Sequence, residues 1–131
     1  MRVLAADGDG LFLEILQTYL RRRGIAADIA DGASRCVDRL RIDPPNLLIL
    51  TSEIAWEEGV ADVLRGDPVL REIPIILLTD SHDDDRNDAD LRVEGRLIKP
   101  FRLSDLVSLI RMVESPPLPV ELRLELSRHF L

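Results

Sequence analysis

The run Leu47-Leu48-Ile49-Leu50, preceded by Pro44-Pro45-Asn46 and ended at once by Thr51-Ser52-Glu53, narrows the fold more than any other stretch. Four consecutive apolar residues bounded by a turn signal read as a strand buried on both faces. Such a strand needs cover above and below, the arrangement of a parallel sheet between two layers of helices. Ile73-Pro74-Ile75-Ile76-Leu77-Leu78 is a second run of this kind, and its Pro74 suits only the start of a strand. Open parallel sheets place their functional crevice off the carboxyl ends of the strands. Thr51 therefore stands where function is expected.

The rest of the chain alternates to match. Val3 to Ala6 is a short apolar run broken by Asp7-Gly8-Asp9-Gly10, with Asp9 as a cap for a first helix. Leu11, Phe12, Ile15, Leu16, Tyr19 and Leu20 recur at helical spacing and are expected to form its inward face. Arg21-Arg22-Arg23 closes that helix, where cations complement the macrodipole, and Gly24 stops it. A weak second strand from Ile25 to Ala30 precedes a second helix from about Ala33 to Ile42, with Cys36, Val37 and Leu40 inward. After Glu53 a loop is expected through Gly59, then a third helix carrying Val60, Val63 and Leu64. Ser81 to Asp90 is strongly polar, so a fourth helix there would be short and loosely anchored. Arg96-Leu97-Ile98 reads as a fifth strand leading into Lys99-Pro100-Phe101. A last helix begins near Ser104-Asp105 and shows Leu103, Leu106, Leu109, Ile110 and Val113.

Five strands alternating with helices predict an α/β, flavodoxin-like, doubly wound parallel sheet of order 2-1-3-4-5 with helices on both faces. Its crevice would collect Asp7 and Asp9, Thr51 to Glu53, Thr79 and Lys99. The expected organisation is one domain over residues 1–114, a stiff Pro-rich linker over 115–119 and an amphipathic tail over 120–131. In the tail, Val120, Leu122, Leu124 and Leu126 alternate as in a strand, while Leu122, Leu126 and Phe130 are spaced by four as in a helix. The abundance of Leu, Glu and Arg tips the balance towards helix. Either way an apolar face needs covering by the domain, a second copy or a partner, and a homodimer is one such arrangement.

Composition excludes several classes. A net charge of −7 argues against nucleic acid as a direct partner. A single cysteine, Cys36, excludes a disulfide framework, and no apolar stretch approaches membrane-spanning length. The expected location is cytoplasmic, with no membrane association.

With these segments in order, residues 1–114 resemble a receiver domain of two-component response regulators. The resemblance rests on Lys99-Pro100-Phe101, Ile73-Pro74 through Thr79, Pro45-Asn46 through Leu50, and Gly59 eight residues beyond Thr51. It implies phosphoryl transfer from a phosphohistidine to an aspartate after the third strand, with magnesium held there and by an acidic pair after the first. Here Thr51 takes the acceptor position, and a neutral hydroxyl needs an activating base that an ionised carboxylate does not. Asp7 matches the first acid of the pair and Gly8 replaces the second, so magnesium is expected to bind weakly at best, with Asp9 or Glu53 as substitute ligands. Thr79 matches the hydroxyl that follows the phosphoryl group. Lys99 matches the lysine that pairs with that group and, lacking its aspartate, is expected to pair with Asp7. Arg96 stands where the family usually carries an aromatic switch residue.

Thr51 and Ser52 as targets of a Ser/Thr kinase are the less favoured reading, because they end a buried strand. The Asp83–Asp90 acids lack the ordered spacing of a calcium loop. Trp56 either covers the sheet edge or anchors a partner. The expectation is a degenerate receiver, not an enzyme, needing no cofactor or metal and working in signal transduction as a phosphorylation-independent interaction module with a protein partner. A phosphoacceptor regulator using an unorthodox residue, or a Ser/Thr-phosphorylated one, is the alternative.

Overall fold

The computed structural model describes residues 1–80 and 90–114. The expected linker (115–119), tail (120–131) and most of the polar segment after Asp80 lie outside the described residues. Strands β1 (Arg2–Asp7), β2 (Ala26–Asp31), β3 (Leu47–Thr51), β4 (Ile75–Thr79) and β5 (Val93–Ile98) form one parallel sheet of order β2-β1-β3-β4-β5. Helices α1 (Gly10–Arg22), α2 (Ala33–Ile42), α3 (Val60–Arg65) and α4 (Leu103–Glu114) cover it. The expected topology is the observed one.

Why β3 sits at the centre follows from its burial. All five of its residues are buried, and Leu47 and Ile49 face one core while Leu48 and Leu50 face the other. The first core packs β-strand side chains against Leu13, Leu16 and Leu20 of α1 and Leu106, Val107 and Ile110 of α4. On the opposite face, Cys36 and Leu40 of α2 and Val60 and Leu64 of α3 close the second core. Each fully buried Leu or Ile of these layers contributes about 1.5–3 kcal/mol of transfer free energy.

Four local expectations need correction. Leu11 and Ile15 of α1 are 68% and 53% exposed, and Leu13 is buried instead. The stripe that meets the sheet is Leu13-Leu16-Leu20, because Asp9 caps through its side chain onto the Phe12 N–H and so sets where the first turn begins. Most of the loop expected after Glu53 belongs to a wide helical turn, Glu53–Glu57, that buries Ile54 and Ala55. β4 starts two residues later than the apolar run, since a single short turn at Leu70–Glu72 brings the chain into Ile73-Pro74. β5 is longer than expected and begins at Val93: as an edge strand it carries exposed Glu94 and Arg96, which broke the apolar signal.

Cys36 illustrates what burial does to a titratable group. It is fully buried on α2, and loss of water pushes its thiol up to about 12. The unfolded thiol ionises near 9.0. Between those values the unfolded chain has lost a proton that the folded chain keeps, so alkaline pH favours unfolding by about 1.4 kcal/mol per pH unit. Denaturant midpoints at about pH 8 and about pH 10 are expected to show this extra alkaline loss in the native chain and its absence in Cys36→Ala. Equal slopes in the two proteins would contradict it.

Candidate functional site

The carboxyl ends of β1, β3 and β4 and the turn after β5 bring Asp7, Thr51, Thr79 and Lys99 to one edge of the sheet. Three of them are buried: Asp7 and Thr51 are 6% exposed and Thr79 is 4% exposed. Burial of polar groups demands partners. Asp7 Oδ1 accepts the Asp9 N–H at 3.1 Å, and its Oδ2 accepts from Lys99 Nζ at 3.0 Å. The residues of this pair are 92 apart in sequence, so the contact ties the first strand to the last turn. Backbone geometry aims the lysine: the Lys99 N–H donates to the Thr79 carbonyl at 2.8 Å, continuing the β4–β5 ladder past Ile98. The peptide bond from Lys99 to Pro100 is cis.

Thr51 is occupied locally. The Ile54 N–H donates to its Oγ1 at 3.4 Å, a weak bond at the head of the helical turn that follows β3. A strand-end hydroxyl commonly takes this role, satisfying a backbone donor that would otherwise lack a partner.

Aromatic residues form the floor of the crevice beside Lys99. Its Nζ lies 5.1 Å from the Phe12 ring centroid, and Phe12 meets Phe101 edge-to-face at 6.3 Å. Together with Asp9 and Pro100 these residues line an open depression of about 410 Å³. Phe12 was read from the sequence only as part of an inward helix face. Its place three residues beyond the Asp9 cap, in the first turn and therefore level with the strand ends, is the signal that could have marked it.

Asp9 borders this pair and turns one carboxylate oxygen to the Phe12 N–H, whereas Glu53 is exposed at the start of its helical turn. Arg96 is exposed on β5, level with Leu77 of β4. Trp56 is half-buried against the α2–α3 core, with the Arg65 guanidinium carbon 5.5 Å from its ring centroid. Its indole N–H is buried and finds no hydrogen-bond partner among the described residues.

Does this donor set suit magnesium? Gly8 contributes no side-chain oxygen, Asp7 is neutralised by Lys99, and Asp9 is engaged as a cap. Among the described residues no three His, Cys, Asp or Glu side chains cluster as metal ligands would. Magnesium dehydrates reluctantly and usually needs one or two carboxylates to hold it. The residues present do not fit that ion.

Comparison with known proteins bears on the architecture. No family model matches the chain. A solved response regulator receiver protein from Pseudomonas putida is 28% identical and superposes with a TM-score of 0.72 over 84% of this chain and 94% of that one. The described fold is that of a response-regulator receiver domain. Chemotaxis response regulator CheY4 of Vibrio cholerae shares this receiver fold at a TM-score of 0.75, covering 86% of this chain and 97% of its own, with 18% identity. In sequence, the receiver-like chain is 33% identical over 75 residues to response regulator Rcp1 of Synechocystis, covering 54% of this chain and 51% of that protein. It is 29% identical over 118 residues to the transcriptional regulatory protein PdtaR of Mycobacterium tuberculosis, covering 87% of this chain and 57% of that protein. The chain thus spans about half the length of the curated relatives it matches.

Proposed function

We propose that this chain is a degenerate receiver of two-component signalling that works as a phosphorylation-independent module, binding a protein partner without enzymatic activity of its own. The observation that carries this reading is Thr51. At the end of β3, where the resemblance expects a nucleophilic carboxylate, the chain has a buried hydroxyl that already accepts a backbone hydrogen bond. Lys99 supports it from the other side, since its charge is balanced by Asp7 rather than held for an incoming phosphoryl group. The crevice is electrostatically satisfied as it stands. No cofactor or metal enters this reading, and the cytoplasm, where two-component relays operate, is its location. Among the described residues no helix is long and apolar enough to cross a membrane.

A small phosphodonor with magnesium tests the reading directly. Intact-mass measurement is expected to show an unmodified protein after incubation. A stoichiometric phosphate adduct labile to base would overturn the proposal in favour of an acyl phosphate on an unorthodox residue. A base-stable adduct on Thr51 or Ser52, formed by a Ser/Thr kinase, would make the chain a kinase-regulated protein instead.

A further inference from the structure

Helix α2 turns a second stripe outward, away from the Cys36 and Leu40 that meet the sheet. Arg35, Asp38, Arg39 and Ile42 recur at helical spacing, and all four are exposed. Ile42, at 81%, is the most exposed large apolar side chain among the described residues. With Ile29 and Asp31 of the edge strand β2, these side chains line a groove of about 410 Å³. Their charge is unspent: among the described residues Arg35, Asp38 and Arg39 have no ion-pair partner. Arg35 and Arg39 are moreover like charges one turn apart, which destabilises an isolated helix.

We propose that a second copy of this chain covers the stripe, α2 lying antiparallel on α2 about a twofold axis between Asp38 and Arg39. Self-complementarity is the first argument, because a twofold interface sets one patch against itself. With the axis there, Asp38 of each copy faces Arg39 of the other. Ile42 of each copy then lies over the aliphatic stem of Arg35 of the other. All four positions find a partner, and no two like charges face each other directly.

Net charge is the second argument. A chain of charge −7 repels its own copies over most approaches. Along this groove two aspartates balance two arginines, so two acidic chains can meet here without that repulsion. The third concerns the edge strand. A strand added to β2 would compete with Gln17, whose Nε2 donates to the Ala27 carbonyl at 2.8 Å. A helix laid in the groove leaves that bond in place. Two paired helices of 10 residues cover less than the roughly 1,600 Å² of a standard interface, so the dimer is a weak one that concentration brings out. This inference is independent of the chemistry of the crevice.

Sedimentation velocity of the full 131-residue chain tests it. The native protein is expected to run as monomer at micromolar concentration and to shift towards dimer near millimolar, less so as salt rises. Asp38→Arg and Arg39→Glu should each weaken the dimer about tenfold or more, because each sets like charges face to face. Asp38→Arg also brings the net charge nearer zero, so its loss of dimer runs against what bulk repulsion would give. Mixed in equal amounts, the two variants should pair at least as readily as the native chain does, since the two bases of one meet the two acids of the other. The double variant, Asp38→Arg with Arg39→Glu, restores complementarity within one chain and should dimerise as the native protein does. Both positions are exposed, and far-ultraviolet circular dichroism checks that each variant keeps the native fold. A native chain still monomeric near millimolar concentration would overturn the proposal and leave the stripe to a different protein. A dimer untouched by either substitution would overturn it by placing the contact elsewhere on the surface. Single variants that remain monomeric when mixed would overturn it as well.

Discussion

Replacing Lys99 by methionine is expected to destabilise the protein by about 2–3 kcal/mol, more than replacing Asp7 by asparagine, although the two residues share one ion pair. Exposure decides the order. The Asp7 side chain is 9% exposed and that of Lys99 is 32% exposed. Without the lysine, a carboxylate remains buried with a single backbone N–H from Asp9 as compensation. Without the carboxylate, the ammonium can turn towards water on its flexible stem, and an asparagine carbonyl still accepts from Asp9. Asp7→Asn should therefore cost only about 1 kcal/mol. The double variant should cost less than the sum of the two, with a coupling of about 1–3 kcal/mol, because no charge is then left without its partner. Urea unfolding of the four proteins gives these values. Additive effects would show that the contact at 3.0 Å contributes nothing as a pair, and a costlier Asp7→Asn would reverse the burial argument.

How far these features could be read in advance depends on how many constraints acted on each residue. β3 and β4 were legible because burial on both faces forces an unbroken apolar run, and few alternatives to a parallel sheet remain. The order 2-1-3-4-5 is the natural expectation for five strands alternating with helices in a doubly wound sheet. The face of α1 was not legible. Leu11-Ile15 and Leu13-Leu16-Leu20 both satisfy helical spacing, and only the docking of the helix on the sheet chooses between them. Nor was the turn at Glu53–Glu57, whose wide hydrogen-bond pattern has no compositional mark and follows from burying Ile54 and Ala55 beneath the chain. At the site, Asp7 and Lys99 were legible as ends of strands, since topology alone brings such ends together. Phe12 was hidden because its aromatic ring serves two purposes. It packs on the α1–α4 core and also lies beside the lysine.

Substituting Gly8→Asp and Thr51→Asp together is expected to convert a crevice indifferent to magnesium into one that the ion stabilises. In the absence of metal the two new carboxylates join Asp7 around the single charge of Lys99, and like charges close together in a buried place repel. The double variant should accordingly be less stable than the native chain by about 1–3 kcal/mol in metal-free buffer. Three carboxylates at the ends of β1 and β3 form the oxygen-rich set that the native residues lack, so magnesium binds the folded state and not the unfolded one. Stability then rises with the logarithm of the magnesium concentration, and at a hundredfold excess over the dissociation constant the gain is about 2.7 kcal/mol. Gly8 suits the test, because a side-chain carbon built there meets no atom within 4 Å and its backbone has an ordinary negative φ. Position 51 is tighter, and aspartate retains an oxygen to accept the Ile54 N–H. Thermal unfolding with and without millimolar magnesium provides the measurement, with calcium as a second ion and the native chain as reference. A native chain unmoved by magnesium beside a variant strongly stabilised would assign the loss of metal binding to these two positions alone. If the variant folds and magnesium leaves its unfolding temperature unchanged, then Gly8 and Thr51 do not occupy the positions the receiver fold gives them, and the functional reading of Thr51 falls with that alignment.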